Sequence, residues 1–325
     1  MKVGMMGAGR IAGWMAATIN RIDKKEGVEN YAIASRELGK AQAFAKEYGF
    51  AKAYGSYAEM VQDPEVDLVY VATPHSDHYE SALLAVEAGK PVIVEKAFTG
   101  NARQAEALLN RAHELKVFIT EAMWTRYMPL SIKIKELIDA GAIGEPRFLT
   151  ANLCIPMLKK EKLFKPELCG GALLDVGVYC INFARMYFGG DIEKTVSSCQ
   201  LWPTGVDIQD TISFKYRDGR MANLTTSGIA RGDRRGVISG DRNCLTVENI
   251  NCPESITIWE DWKPVQVFKC PETQLSGYEY EMLACRDALA DGLLESPYMP
   301  HSETLAMMKQ MDALRAEWGV KFPMD

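Results

Sequence analysis

A glycine-rich turn near the N-terminus constrains the fold of this chain more than any other feature. The sequence opens K-V-G-M-M-G-A-G-R-I-A, which places Gly7 and Gly9 between a predicted strand, 2–6, and a predicted helix, 11–22. Gly7 permits a tight turn, Gly9 lets the backbone approach a pyrophosphate, and Ala12 lets the helix pack closely on the sheet. The free N–H groups at the helix N-terminus favour an anion. The pattern predicts a dinucleotide-binding βα unit, and a glycine-rich turn without a ligand is the alternative.

Short apolar strands alternate with helical patterns over the first 120 residues. The run D-L-V-Y-V-A at 67–72 is almost continuously apolar, as in a strand that is buried on both faces. A helical pattern over 78–88 ends at Gly89, a residue typical of helix C-termini. Strands joined through helices pair in parallel by right-handed crossovers. We therefore predict an α/β fold whose N-terminal Rossmann domain, 1–121, contains a doubly wound parallel sheet.

The pattern changes after residue 145. An apolar helix is predicted over 173–188, and four to six long strands follow between 194 and 269. Two of these strands flank Asp218-Gly219, a pair typical of β-hairpin turns. This half is predicted to be an α+β substrate-binding and dimerisation domain, 122–325, with a large, mostly antiparallel open sheet. Two helices end the chain, and the last is expected to pack back on the Rossmann domain.

Composition excludes several classes of function. The chain has 325 residues and a formal net charge of -6, which argues against a nucleic-acid-binding surface. No membrane span, leader peptide or C-x-x-C pair is predicted, so the eight cysteines are interpreted as free thiols in the cytoplasm. The four histidines form no metal-binding pattern, and no metal is expected.

The end of the second predicted strand bears on the choice of cofactor. Enzymes that prefer NAD usually place an acid there to bind the ribose 2′-hydroxyl. Here the strand ends in Ser35 and Arg36, with Glu37 as the first acid. A hydroxyl and a guanidinium suit a 2′-phosphate, so NADP(H) is expected and NAD(H) remains possible. The alternative is a solvated Arg36 with Glu37 on the ribose.

Two loops follow buried strands at the edge of the sheet where open α/β folds bind ligands. The loop A-T-P-H-S-D-H at 72–78 follows the fourth strand, and E-K-A at 95–97 follows the fifth. Burying the charged side chain of a lysine at the end of a buried strand costs free energy unless the side chain faces a cleft or a partner. Lys96 is therefore a candidate to polarise or protonate a substrate oxygen, although a Glu-Lys pair by itself is more often a surface pair.

These segments, together with G-G-A-L-L-D-V-G-V-Y at 170–179, resemble the Gfo/Idh/MocA family of oxidoreductases. The resemblance spans both predicted domains in the family's order. The segment E-A-M-W-T-R-Y at 121–127 is most similar to the branch of dimeric dihydrodiol dehydrogenases and glucose-fructose oxidoreductases. Within this resemblance, Ala97 stands where the family usually has proline. Proline presets φ and permits a cis bond, so without it both are expected to be lost and Lys96 to be presented less rigidly.

The resemblance implies three catalytic residues, Lys96, Asp175 and Tyr179. Asp175 and Tyr179 lie four residues apart, so a helix presents both on one face. A tyrosine with a pKa of about 10 is a poor base unless a nearby cation such as Lys96 lowers that pKa. The alternative is that Tyr179 packs in the core and Asp175 pairs locally.

The resemblance also implies residues for the cofactor and the substrate. Trp124 and Arg126 are expected in the substrate pocket, although tryptophan is also a common core residue. The residues expected to bind the cofactor are Gly7, Gly9, Arg10, Ile11, Ser35, Arg36, Thr73, Pro74, His78, Glu95 and Lys96.

The resemblance implies an NADP-dependent hydride transfer involving a secondary alcohol or ketone of a sugar, cyclitol or vicinal diol. It also implies a homodimer formed through the open sheet. Two alternatives remain at this stage: a non-catalytic dinucleotide-binding sensor of the same fold, and a reductase of a non-sugar carbonyl or pyrrole-type substrate.

Overall fold

The computed structural model describes residues 1–325, which form two compact units. Unit 1 comprises Met1–Trp124 and Leu275–Met308, and unit 2 comprises Thr125–Gln274 and Lys309–Asp325. Each unit is therefore built from two separate segments of the chain.

Unit 1 contains a six-stranded sheet in the order β3-β2-β1-β4-β5-β6. All neighbouring strands pair in parallel. This is the strand order of a dinucleotide-binding doubly wound sheet, so the prediction of a Rossmann fold is confirmed. The strands are β1 (Lys2–Met6), β2 (Glu29–Ala34), β3 (Lys52–Tyr54), β4 (Leu68–Val71), β5 (Val92–Glu95) and β6 (Ile119–Ala122).

Helices cover the sheet of unit 1, and one of them comes from the C-terminal segment. The helices are α1 (Arg10–Ile19), α2 (Leu38–Tyr48), α3 (Tyr57–Val61), α4 (His78–Glu87), α5 (Ala102–Leu115) and α8 (Tyr278–Ala290). Buried residues recur every three to four positions along α1, which gives it one apolar face. That face shares a hydrophobic core with buried side chains of α8, namely Met282, Cys285 and Ala288.

Unit 2 contains an eight-stranded sheet in the order β14-β13-β12-β11-β7-β10-β9-β8. Only β7 and β10 pair in parallel, so the predicted mostly antiparallel sheet is confirmed. The strands are β7 (Pro146–Cys154), β8 (Ile192–Leu201), β9 (Asp207–Tyr216), β10 (Met221–Ser227), β11 (Gly236–Gly240), β12 (Cys244–Glu248), β13 (Ser255–Glu260) and β14 (Lys263–Lys269).

Seven strands follow position 192, so the prediction of four to six was too low. The hairpin at Asp218-Gly219 is present between β9 and β10. The turn between β13 and β14 was harder to predict because it contains no glycine. Its two residues, Asp261 and Trp262, have φ of 46° and 64°, which are left-handed values that favour glycine or asparagine.

The helix predicted over 173–188 is not a regular α-helix along its whole length. It begins with a π-helical turn, Leu173–Gly177, and continues as α7 (Val178–Phe188). Unit 2 also contains α6 (Pro129–Asp139), and α9 (His301–Trp318) begins in unit 1 and ends in unit 2. Contrary to expectation, the segment Pro166–Phe188 is long and apolar enough to cross a membrane, with mean hydropathy 1.3, but 89% of the apolar window is buried inside the protein. This is the packing of a core helix.

Candidate functional site

The glycine turn after β1 forms an open cradle at the N-terminus of α1. Gly7 has φ +99°, and a Cβ there would lie 2.8 Å from the carbonyl oxygen of Ala72, so only glycine fits. A Cβ on Gly9 would meet nothing within 4 Å, and no side chain caps α1. The helix N–H groups are therefore available to an anion, and the cradle fits the pyrophosphate of a dinucleotide.

The flanking residues lie at the start of α1 and in the loop after β4. Arg10 is exposed and lies over the ring of Trp14, 5.1 Å from its centroid, while Ile11 is partly buried. Thr73 is buried, and its hydroxyl has no hydrogen-bond partner within the protein. An orphaned hydroxyl beside the cradle is a second observation that fits a polar ligand there.

Charged side chains surround the end of β2. The Ser35 hydroxyl accepts a hydrogen bond from the Glu37 backbone N–H at 3.4 Å, and Glu37 forms an ion pair with Lys40. The Arg36 guanidinium lies 3.6 Å from a carboxylate oxygen of Asp77, in the loop after β4. Arg36 is 76% exposed, so its positive charge is accessible at this edge of the sheet. Asp77 is a neighbour of Arg36 that sequence reasoning did not identify.

His78 links the two loops at the carboxyl end of the sheet. The residue is buried, and its Nδ1 lies 2.9 Å from the carbonyl oxygen of Ala97. Its Nε2 lies 3.0 Å from the carbonyl oxygen of Thr73. A neutral imidazole donates through one ring nitrogen and an imidazolium through both. His78 therefore lies between the Thr73-Pro74 turn and the Lys96-Ala97 turn, with one ring nitrogen facing a carbonyl oxygen of each.

The turn after β5 corrects one expectation. The Lys96–Ala97 peptide bond is cis although Ala97 has replaced the usual proline, so the predicted loss of the cis bond was wrong. Ala97 is fully buried and its carbonyl oxygen contacts His78, so the turn is packed inside the protein. Lys96 is partly buried directly after the end of β5.

A buried acidic cluster includes Glu95, the residue that precedes Lys96. Glu95 is 6% exposed and accepts a hydrogen bond from the Tyr70 hydroxyl on β4. Glu281 on α8 is fully buried, and burial followed by the nearby charges of Glu95 and Glu279 raises its pKa well above the usual range. Burial and the neighbouring carboxylates therefore favour the neutral form of Glu281. No local motif in the sequence pointed to this residue, because α8 is remote from β5 along the chain.

The helix of unit 2 that carries Asp175 and Tyr179 has a charged neighbour. Asp175 forms a hydrogen-bonded ion pair with Lys160, in the segment that precedes the helix. Tyr179 is 8% exposed and follows Asp175 by four residues, across the junction between the π-helical turn and α7. Lys160 was not identified from the sequence, because its segment contains several similar lysines and no recognisable motif.

A second acid holds the start of this helix. Asp207, the first residue of β9, is fully buried and accepts a hydrogen bond from the Leu173 backbone N–H at 2.6 Å. Burial raises the pKa of Asp207 to about 6, while hydrogen bonds from backbone N–H groups act in the opposite direction. Burial also raises the pKa of Asp210, with the charge of Asp207 as a further cause.

The two predicted substrate residues are both packed by neighbours. The Trp124 ring stacks on Tyr278 with centroids 4.2 Å apart and an interplanar angle of 13°. Arg126 is 9% exposed and donates from Nε to the side-chain oxygen of Asn182 at 2.6 Å.

The candidate catalytic set is divided between the units, with Lys96 in unit 1 and Asp175 and Tyr179 in unit 2. No group of three or more histidine, cysteine, aspartate or glutamate side chains is arranged to hold a metal ion.

Residues 1–123 match the family described as "Oxidoreductase family, NAD-binding Rossmann fold", and residues 131–246 match the "GFO/IDH/MocA C-terminal domain". A curated relative from Danio rerio, trans-1,2-dihydrobenzene-1,2-diol dehydrogenase, is 31% identical over 335 residues and covers 100% of this chain and 99% of its own. The chain belongs to the Gfo/Idh/MocA family of oxidoreductases. It is accordingly an NAD(P)-dependent oxidoreductase.

Further relatives agree with this assignment. The Homo sapiens protein of the same description is 29% identical, with 100% and 99% of the two chains covered. KijD10, a 3-ketoreductase from Actinomadura kijaniata solved with NADP and TDP-benzene, is 25% identical with a TM-score of 0.87 and 97% coverage of both chains. An aldose-aldose oxidoreductase from Caulobacter crescentus has a TM-score of 0.88 at 18% identity, covering 98% of this chain and 97% of its own, which shows the shared fold.

Proposed function

We propose that this chain transfers a hydride between NADP(H) and a secondary alcohol or ketone of a sugar, cyclitol or vicinal diol. The observation that carries the proposal is the full-length similarity to dehydrogenases of a vicinal diol. The similarity to a ketoreductase solved with NADP supports the same cofactor and the same functional group. We further propose that residues 1–121 bind the cofactor and that residues 122–325 bind the substrate.

The bound nicotinamide would supply the hydride acceptor or donor. In the oxidative direction, the substrate carbon loses a hydride with its electron pair and the hydroxyl loses a proton. We assign Tyr179 as the residue that takes up this proton and Lys96 as the cation that stabilises the developing alkoxide. Asp175 orients the substrate hydroxyls. In the reductive direction, Tyr179 returns the proton to the oxygen of the ketone.

Several residues of unit 1 would hold the cofactor. The pyrophosphate would lie at Gly7, Gly9 and the N-terminus of α1, where free N–H groups face an open space. A preference for NADP rests on Ser35 and Arg36, because an accessible guanidinium can pair with a 2′-phosphate. Thr73, Pro74 and His78 would contribute from the loop after β4, and Glu95 with Lys96 from the turn after β5.

The first experiment is a panel of polyols, diols and ketoses with either cofactor, followed by absorbance of the reduced nicotinamide. We expect turnover of at least one vicinal diol or sugar, with a higher kcat/KM for NADP than for NAD. The variant Lys96→Met should lower kcat by at least about 100-fold and raise the Kd for NADP by much less, because Lys96 is only one of the residues that would hold the cofactor. Full activity of this variant would refute the role of Lys96.

The same experiment separates the enzyme from a sensor of the same fold. Tight binding of NADP with no turnover of any alcohol or carbonyl would favour the sensor. Turnover confined to an aldehyde, a non-sugar ketone or a pyrrole-type compound would favour a different reductase. The variant Tyr179→Phe adds a control, since it removes the phenolic proton with little change in packing, and kcat should fall while cofactor binding is retained.

We also propose that the chain is a cytoplasmic homodimer formed through the open face of the eight-stranded sheet. The inner face of that sheet is buried, as at Ile212, Phe214 and Ile256. The opposite face exposes apolar side chains, among them Val196 and Met221 at 55% and 43% exposure. Sedimentation of the wild type and of Val196→Asp tests this proposal, because a charge at a dimer interface should shift the chain toward the monomer.

A further inference from the structure

Lys160 contacts Asp175 in unit 2, and the hydride-transfer scheme gives it no role. The two side chains form a hydrogen-bonded ion pair and are 20% and 10% exposed, so the pair is largely removed from water but not completely buried. Exposed ion pairs contribute little to stability, and buried pairs must first overcome a desolvation cost. Stability alone is therefore a weak explanation for a lysine at this position.

The backbone fixes Lys160 close to the helix of Asp175. The N–H of Gly171, just before the helix, donates to the carbonyl oxygen of Leu163 at 2.8 Å. A Cβ on Gly170 would lie 2.6 Å from that same oxygen, so the close approach requires glycine. The segment that carries Lys160 is thus hydrogen-bonded to the start of the helix. The backbone therefore holds Lys160 and Asp175 close to each other.

An ammonium and a carboxylate in contact match the hydrogen-bonding needs of two adjacent hydroxyl groups. Lysine only donates, and ionised aspartate only accepts. The oxygens of a vicinal diol are separated by about one hydrogen-bond length, so one can accept from Lys160 while the other donates to Asp175. An isolated secondary alcohol can satisfy only one member of the pair.

We propose that Lys160 is a specificity-determining residue that binds a pair of vicinal hydroxyls together with Asp175. The substrate class is then a vicinal diol or polyol in preference to an isolated secondary alcohol. Tyr179 lies four residues after Asp175 on the same helix, which brings one of the two hydroxyls to the side of the helix where the proton is transferred. This inference rests on the proposed function and narrows its substrate.

The test compares a vicinal cyclohexanediol with cyclohexanol in the NADP-dependent oxidation by wild type, Lys160→Met and Lys160→Arg. We expect the methionine variant to lose roughly 10- to 100-fold in kcat/KM for the diol, chiefly through KM, and less than about threefold for cyclohexanol. The arginine variant should recover part of the preference because it restores the donor. Lys159→Met, an exposed neighbour with the same change of side chain, is the matched control and should behave as wild type.

An equal loss on both alcohols in Lys160→Met would overturn the inference, because it would mean that Lys160 only holds Asp175 or the fold in place. An unchanged diol preference would overturn it as well. Circular dichroism of each variant monitors folding. If Lys160→Met does not fold, Lys160→Ala takes its place, since it also removes the donor. It must lower the ratio of kcat/KM for the diol to that for cyclohexanol, and an unchanged ratio would refute the inference.

Failure of the proposed function is recognised separately. If the wild type oxidises neither alcohol, binding of the diol and of cyclohexanol to the NADP-loaded protein is measured by calorimetry. A preference for the diol that disappears in Lys160→Met supports the hydroxyl-binding pair without catalysis. The same affinity for the two alcohols would refute the pair as well.

Discussion

Changing Asp207 to asparagine tests how the start of the Tyr179 helix is held. The carboxyl group is fully buried, and its pKa rises from 3.8 to about 6 in the folded protein. Between these two values the native state binds the proton more tightly than the unfolded state does. The free energy of unfolding therefore falls as the pH rises through this window. At 1.36 kcal/mol for each unit of pKa, Asp207 accounts for a loss of about 3 kcal/mol between acid and neutral pH.

Asparagine has nearly the same shape but no proton to lose. Its side-chain oxygen can still accept a hydrogen bond from the Leu173 N–H. Its NH2 group cannot accept one from the other backbone N–H groups, as the second carboxylate oxygen can. We expect a pH-independent destabilisation of about 1–2 kcal/mol from that change. Asp207→Asn should consequently be less stable than wild type at low pH and more stable at neutral pH, with the two stability curves crossing between roughly pH 4.5 and 5.5.

The assay is urea unfolding of both proteins from acid to neutral pH, followed by far-UV circular dichroism and tryptophan fluorescence. Coincident transitions with equal m-values justify a two-state comparison. Asp191→Asn is the matched control: it makes the same change at a solvent-exposed side chain, and it should alter the free energy of unfolding by less than about 0.5 kcal/mol. A stability difference between Asp207→Asn and wild type that is constant across the pH range would refute the reasoning. A variant that becomes less stable relative to wild type as the pH rises would refute it as well.

Three further variants address the cofactor site and the buried acid cluster. Gly7→Ala places a Cβ 2.8 Å from the Ala72 carbonyl oxygen at a left-handed φ. Calorimetry should therefore give at least a tenfold higher Kd for NADP. Unchanged binding would contradict the assignment of this turn to the pyrophosphate. Asp77→Asn removes the carboxylate beside Arg36. It should lower the Kd for NADP, relative to the Kd for NAD, by about three- to tenfold at low salt. Equal changes in the two Kd values would contradict a role of Arg36 at the 2′-phosphate. Glu281→Gln should be nearly neutral at pH 4.5 and increasingly stabilising above it, by up to about 1.4 kcal/mol per pH unit until the raised native pKa is reached. Thermal unfolding as a function of pH measures this difference, and a constant one would contradict a proton held at Glu281.

The parts of the fold that could be predicted are those that a short stretch of sequence specifies. Gly7 and Gly9 identify the cradle because the turn, the adjacent strand and the following helix lie within twenty residues. The hairpin at Asp218-Gly219 was predictable for the same reason. The turn at Asp261-Trp262 was not, since its left-handed conformation is imposed by the pairing of β13 with β14 and not by its own residues.

The candidate site could be predicted only where chemistry coincides with a strand end or a known motif. Lys96 and His78 were identified as candidates in this way, and their roles stay predictions. Lys160, Asp207 and Glu281 were missed because each acts across the fold, on a segment remote along the chain or on a backbone N–H that only the folded structure brings close. The π-helical turn before α7 was missed as well, since apolar periodicity does not distinguish it from a short piece of α-helix.

The two-segment construction of unit 1 determines when this unit can form during synthesis. Its first 124 residues leave the ribosome long before α8, whose Met282, Cys285 and Ala288 fill the same core as α1. Until then, the apolar face of α1 lacks part of its cover and is exposed to aggregation or to capture by chaperones. A fragment that ends at Trp124 should therefore be poorly soluble, whereas one that joins residues 1–124 to 275–308 through a short linker should fold.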